Sequence, residues 1–405
     1  MLPLHSRILR RIRQSAGRKF RDLPEKPQLS IGREPQRRCS LTAVQPQWRG
    51  RTAAVFHPRG TRNPVGRRSF IINFFTVSVI LIFLFIFITG FHDEGNLIAT
   101  IISSRSMNVI LIFALAFFSQ FAGTCLLGTR VAHSMVYQLF NVPYMQQDPH
   151  EIALMIFSSM LGATTWNIIT WIFGIPSSSS NAIIGGLMGP FVMKFGFSVI
   201  NVKGLLLGVL LPIFTSPLIG FTFGYLIFRL NEKLFCGRSI RIKKLFQGLQ
   251  GTTCVLINAF QGSNDAQKSL GVLALLLMAT NGTWTFSLPE NVTLLAALAI
   301  SFGLVLGGTR MIKNVGTRIY SVKSLHSMSA QTSSLIVIGL ASFLGFPVSG
   351  TQIVNSSIFG VGAADRPNAV GWLYAKDMVA TWFTTIPISF LISSGFYWIF
   401  HWIGG

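Results

Sequence analysis

From residue 70 onward the chain is dominated by apolar runs. A helix needs about 20 apolar residues to cross about 30 Å of hydrocarbon. Runs over 70–90, 108–128, 152–174, 204–228, 246–262, 291–308, 328–346 and 371–398 reach or approach that length and predict membrane-spanning helices. Between them lie shorter apolar pieces, 97–104, 177–195, 266–280 and 348–363, interrupted by Gly, Ser or Pro. Interrupted helices are tolerated at membrane depth where they line a cavity or pack inside protein. The predicted fold class is an all-α polytopic membrane protein with about 10–12 transmembrane segments, including broken helices and re-entrant helical hairpins.

Composition strengthens this reading. Half of the 405 residues are hydrophobic, only 11% are charged, and the mean hydropathy is +0.54, against about 25% charged residues in a soluble domain. The net charge of +22 points at first to nucleic acid, but residues 1–68 alone hold 17 Lys and Arg against 3 Asp and Glu. The body shows no basic patch or stripe of the kind nucleic-acid binding needs, so lipid is the expected macromolecular surrounding and nucleic acid is not a partner. The Arg-, Pro- and Gln-rich segment 1–68 has no apolar period and reads as a disordered tail or an over-long start assignment, ahead of a transit peptide. Arg229, Lys233, Arg238, Arg241, Lys243 and Lys244 place the loop 230–245 in the cytoplasm. Residues 269–309 lack Lys and Arg, which places 281–290 outside. The orientation of the N-terminus stays open. Cys39, Cys125, Cys236 and Cys254 have no metal-site or disulfide spacing and read as apolar fillers.

The body is one unit written twice. Gly90-Phe91-His92-Asp93-Glu94-Gly95-Asn96 is answered by Gly262-Ser263-Asn264-Asp265-Ala266-Gln267-Lys268, 172 residues later. Pro176-Ser177-Ser178-Ser179-Ser180-Asn181 is answered by Pro347-Val348-Ser349-Gly350-Thr351-Gln352 at an offset of 171, which Gly189 and Gly360 also keep. This gives repeat 1 over 69–229, repeat 2 over 246–398 and a short tail over 399–405. Inverted repeats with broken helices at matching positions place a substrate site at the repeat interface. The expected activity is transport, with no chemical step and no catalytic residue.

Ionisable residues inside spans are expensive and point to function. Asp93 and Asp265 form a symmetric pair suited to a hard cation such as Na⁺, with Asn96 and Asn264 supplying further oxygens; N-capping at a helix break is the competing structural role. Ser177, Ser178, Ser179 and Ser180, with Ser349 and Thr351 in the second copy, offer hydroxyl donors ahead of helix N-termini, which bind oxyanions through free N–H groups and the helix dipole. Close interhelical packing is the alternative for any single Ser. Lys268 stands three residues after Asp265 and can pair with it or with substrate. His133 and His326 read as interfacial, Lys376-Asp377 as an interfacial pair, and Trp372, Trp382, Trp398 and Trp402 as interface anchors.

The paired Asp motifs and paired hairpins, with Ala99-Thr100-Ile101-Ile102-Ser103-Ser104-Arg105, Trp166-Asn167 and Gly307-Gly308-Thr309-Arg310, resemble the inorganic phosphate transporter (PiT, PHO4) family over about residues 70–398. The resemblance implies a permease that takes up inorganic phosphate by cation symport, with Na⁺ ahead of H⁺ as coupling ion, in the plasma membrane and as a homodimer. It assigns the hairpin residues Ser177, Ser178, Ser179, Ser180, Ser349 and Thr351, with Asn96 and Gln267, to the phosphate; Asn181, Gln352 and Lys268 join the expected phosphate site as donors read from the residues themselves. Asp93, Asp265, Asn264 and Asn96 go to the cation. Asn181 and Gln352 stand where the family commonly has His, Gly350 where it has Ser or Thr, and Glu94 and Gly95 where it has small residues. These departures keep two alternatives in view: carriage of another oxyanion such as sulfate, and a non-transporting phosphate sensor or degenerate paralogue.

Overall fold

The computed structural model describes residues 64–142, 148–235, 241–307 and 319–404. The leader up to residue 63, Cys39, Cys236, Arg238 and Gly308-Thr309-Arg310 lie outside the described residues. The described chain is helical: α1 Pro64–His92, α2 Gly95–Ser103, α3 Val109–Leu126, α4 Arg130–Tyr137, α5 Pro149–Phe173 and α6 Ser179–Phe195. Then follow α7 Val202–Phe235, which opens on a π-helical stretch over Leu205–Leu210, and α8 Arg241–Asn281. The remaining helices are α9 Glu290–Gly307, α10 Ser324–Leu344, α11 Gly350–Asp365 and α12 Trp372–Gly404. Among the described residues seven segments are long and apolar enough to cross a membrane: α1 with α2, α3, α5, α7, α9, α10 and α12.

The segments start and stop where local chemistry directs. Asp148 accepts from the His150 N–H at the head of α5, and Pro149 occupies the first turn, where a missing N–H is harmless. Gly174 and Gly345 end α5 and α10 with φ of 68° and 77°, a left-handed conformation open to glycine, and each leads into a Pro-Ser hairpin. Ile110, Phe118, Leu126, Leu218 and Leu391 project outward, an apolar surface that only lipid would leave stable. By contrast, 78% of the spanning window of α5 is buried, so α5 is an inner helix.

The packing exchanges partners between the repeats. Hairpin helix α6 of the first repeat packs on α12, the last helix of the second; α11 packs on α7, the last helix of the first. Likewise α1 packs on α9, and α8 on α3. Within each repeat α1 meets α5 as α8 meets α10, and α5 meets α6 as α10 meets α11. Each contact thus has a mate with the repeats interchanged, which is what a pseudo-two-fold axis between inverted repeats produces. Gly189 and Gly360 make this exchange possible. A Cβ at Gly189 would overlap the Phe390 carbonyl oxygen on α12, and one at Gly360 the Phe221 carbonyl oxygen on α7.

Three expectations are corrected. The second Asp motif is not a break: α8 runs unbroken over 41 residues, about 60 Å at 1.5 Å per residue, whereas α1 ends at His92 and α2 begins at Gly95. The polar motif lowers the hydropathy of α8 but leaves its backbone ladder intact, since Ser263, Asn264 and Asp265 are buried among protein side chains. Trp382 is not an interface anchor; it is 6% exposed in the second core cluster, while Trp372, Trp398 and Trp402 are exposed. His326 is buried, with Nε2 3.2 Å from Asp365 Oδ2, because the head of α10 packs against the end of α11. His133, Lys376 and Asp377 are exposed.

Gly360→Leu is expected to lower thermal stability in detergent by about 1–3 kcal/mol, the usual effect of overpacking. Gly395→Ala, where a Cβ meets nothing within 4 Å, should leave the melting temperature unchanged or raised. Equal losses in both variants would contradict the close α11–α7 contact.

Candidate functional site

The two hairpins bring helix N-termini face to face. Ser178 caps α6 by accepting from the Asn181 N–H at 3.4 Å, and Ser349 caps α11 by accepting from the Gln352 N–H at the same distance. The hydroxyl of Ser178 then donates to that of Ser349 at 2.8 Å. These residues are 171 apart, so the contact joins equivalent atoms and the pseudo-two-fold axis passes between them. Two helix N-termini, each carrying about half a positive charge, therefore converge at a serine pair buried in the protein.

The Asp motifs flank this point. In the turn between α1 and α2, Asp93 Oδ1 lies 2.7 Å from His92 Nδ1, and Asp93 Oδ2 accepts from the Ser179 N–H at 3.2 Å. Asp93 thus caps neither α1 nor α2 but the hairpin helix α6. Asp265, inside α8, pairs with Lys268, whose ammonium also donates to the Val348 carbonyl and, at 2.6 Å, to the Ser180 hydroxyl. Lys268 thereby ties the second Asp to both hairpins. Glu94, 1% exposed, lies beside Asp265 with neither carboxyl oxygen in good hydrogen-bond geometry. Among the described residues no group of three or more His, Cys, Asp or Glu is gathered as a metal site.

The remaining candidates divide into two sets. Ser180 donates to the Val348 carbonyl at 3.3 Å, and Asn181 donates to the Trp382 carbonyl at 3.0 Å with its Oδ1 free. Thr351 Oγ1 and both amide atoms of Gln352 are buried without partners. These residues lie in the first turns of α6 and α11. The others are engaged in building the scaffold. Ser177 turns away to donate to Thr170 Oγ1 at 2.7 Å, and Ser179 Oγ accepts from Asn167 Nδ2 at 2.9 Å. Asn264 fixes the second hairpin, donating to the Phe346 carbonyl at 3.0 Å and accepting from the Val348 N–H at 3.2 Å. Asn96 donates to the Asp93 carbonyl.

Gln267 is placed apart from the hairpin tips. Its Oε1 accepts from the Val131 N–H at 2.9 Å and its Nε2 donates to Ser263 Oγ at 2.6 Å, so its amide caps α4. Sequence reasoning passed over Thr170 and Gln261, both buried beside the hairpins. Asn167 is legible in the sequence only as part of the Trp166-Asn167 motif. For Asn167 the spacing to Ser179 carries a signal, twelve residues across a Pro turn; for Gln261 the signal is its place one residue before the second motif.

Comparison with known proteins identifies the family and the fold. The family model described as PHO4, phosphate transporter family, matches the chain twice, over residues 89–240 and 237–393. A protein of Bacillus subtilis (strain 168) named a probable low-affinity inorganic phosphate transporter is 34% identical over 80% of this chain and 96% of its own length. One of Rhizobium meliloti (strain 1021) with the same name is 37% identical over 78% of this chain and 94% of its own. A solved structure titled the sodium-dependent phosphate transporter superposes with a TM-score of 0.74, covering 82% of this chain and all of that one at 22% identity, which establishes a shared fold. With two family matches, relatives above 30% identity along most of their length, and a helical fold of two exchanged repeats, the chain belongs to the phosphate transporter family, a family of multi-pass membrane transporters and not of enzymes.

Proposed function

We propose that the chain takes up inorganic phosphate by cation symport across the cell membrane, with Na⁺ as the coupling ion. The observation that carries this reading is the meeting of two helix N-termini at Ser178 and Ser349, with Lys268 bridging Asp265 to both hairpins. Helix N-termini hold phosphate through N–H groups and dipole, and an ammonium supplies the nearby positive charge. Ser178, Ser180, Asn181, Ser349, Thr351, Gln352 and Lys268 would take the anion. Asp93 and Asp265 would take the cation, with Asn96 and Asn264 positioning them. The relatives named as phosphate transporters support the substrate, and the solved structure titled sodium-dependent supports the cation.

Alternating access then requires the hairpins to part. Ser178–Ser349, Ser180–Val348 and Lys268–Val348 are the contacts that hold them together. An arriving anion that accepts from the two serines and from Lys268 replaces the bonds of those donors with its own, while the Val348 carbonyl, an acceptor, needs a new donor once the hairpins part.

In proteoliposomes with Na⁺ and pH gradients varied independently, radiolabelled phosphate uptake should follow the Na⁺ gradient. Excess sulfate should not compete, and Asp265→Asn should abolish uptake. Uptake unchanged in Asp265→Asn, or absent under every cation gradient, would sink the proposal. A second measurement reads the ion pair without transport. Lys268→Met leaves Asp265 buried and unpaired and should destabilise the protein by about 3–5 kcal/mol. The double variant Asp265→Asn/Lys268→Met should recover most of the lost melting temperature.

A further inference from the structure

The second hairpin departs from the first at Gly350, and the departure is matched by a change on the facing helix. Gly350 occupies the place that Ser179 holds in the first repeat. Ser179 carries a hydroxyl, which accepts from Asn167. Gly350 carries none, and a Cβ built there would stand 2.5 Å from Nε2 and 2.7 Å from Oε1 of Gln261. The space of the missing side chain is therefore filled by the Gln261 amide. The residue equivalent to Gln261 in the first repeat, 172 positions earlier, is Thr89, whose hydroxyl turns back to its own helix at the Phe85 carbonyl. One repeat has a small residue on the long helix and a hydroxyl on the hairpin; the other has a long amide on the helix and no side chain on the hairpin.

Gln261 is 1% exposed, and neither of its amide atoms has a hydrogen-bond partner. An unsatisfied buried amide is costly unless a partner arrives. It stands four residues before Asp265 and seven before Lys268 on α8, a spacing that places all three on one helix face. Asn264 and Lys268 already touch the second hairpin at Phe346 and Val348. The amide thus abuts Gly350, the first residue of the 16-residue helix α11, whose next two residues, Thr351 and Gln352, also carry buried unpartnered polar atoms.

We infer that Gln261 is an oxyanion ligand of this transporter, its Nε2 donating to a phosphate oxygen at the head of α11 in place of the hydroxyl that Gly350 lacks. This rests on the phosphate reading above. Thr351 Oγ1 and the Gln352 and Gln261 amides stand unpartnered at the second hairpin, whereas in the first repeat the Ser177, Ser178 and Ser180 hydroxyls already donate within the protein and Ser179 Oγ accepts from Asn167. The anion is therefore held asymmetrically, with more ligands from the second repeat than from the first.

The test is the KM for radiolabelled phosphate in proteoliposomes, with the apparent KM for Na⁺ measured alongside. Gln261→Ala should raise the phosphate KM about tenfold, the loss of one hydrogen bond to a charged acceptor, with the Na⁺ value unchanged. Gln261→Glu, which exchanges the donor for an anion, should raise it further. Gly350→Ser alone should impair folding or transport, because its Cβ meets the Gln261 amide. Gly350→Ser with Gln261→Ala should restore both, the hydroxyl taking the space the amide left. A phosphate KM unchanged in Gln261→Ala, a change in the Na⁺ value alone, or a double variant no better than Gly350→Ser would overturn the role of Gln261 and leave phosphate transport standing. Wild-type protein that takes up no phosphate under any cation gradient would overturn the transport reading, and this inference with it.

Discussion

A polar backbone group in hydrocarbon must find a partner inside the protein, and two helices that begin at membrane depth each bring several N–H groups without one. The hydrogen bond between Ser178 and Ser349 is the point where the chain meets that constraint. Each serine caps its own helix and then bonds to the other. Much of the architecture serves to bring these two atoms together. The hairpins must cross from one repeat to the other, so α6 lies on α12 and α11 on α7. The crossing must be close, so Gly189 and Gly360 carry no side chain. The turns before the hairpins must reverse sharply, so Gly174 and Gly345 take left-handed conformations.

The repeats agree in backbone and differ in chemistry. At equivalent positions Asp93 holds His92 and the N–H of Ser179, while Asp265 holds Lys268. The tie between the first and second inner helices repeats the pattern with its charges exchanged. At the end of α6, Lys194 lies 3.2 Å from Glu151 at the head of α5. The residue 171 positions after Lys194 is Asp365, and it faces His326 at the head of α10. The same contact is made with the acid and the base in swapped places. Geometry is what the axis must preserve for the exchange of partners to work; the sign of each pair is free to drift.

The span pattern made most of the fold legible. Apolar runs found the membrane helices, and a constant offset between two short motifs found the hairpins, because both depend on local sequence alone. What escaped reading depends on the surroundings. A Gly-Ser-Asn-Asp run looks like a helix break, yet α8 continues through it because its side chains are satisfied by the second hairpin and Lys268. Trp382 has the composition of an interface anchor but stands where α12 faces α6, so Asn181 reaches its carbonyl. Gln267 lies inside a motif whose other members meet at the hairpins, yet its position on the helix turns it toward the head of α4. In each case residue type was readable and direction was not, since direction is fixed by which helix packs alongside.

The balance of charge at the centre bears on the proposed coupling. Asp93, Glu94 and Asp265 bring three carboxyl groups within the described site, against one ammonium from Lys268 and one imidazole from His92. Lys268 is engaged with Asp265, so its charge is already balanced. An anion that docks at the hairpins and accepts from Lys268 loosens the ammonium from Asp265 and leaves that carboxylate short of a counter-charge. An uncompensated buried charge costs several kcal/mol, and the site lies where water cannot supply the difference. A cation at Asp265 removes the penalty, and the symmetric carboxylate at Asp93 offers a second position of the same kind. On this account cation and anion bind together because neither is stable at the site alone: the cation answers the carboxylate that the anion strips of its lysine, and the anion occupies the lysine that the cation displaces. Under the proposed symport, coupling would rest on one residue, Lys268, bonded at once to the second Asp and to both hairpins.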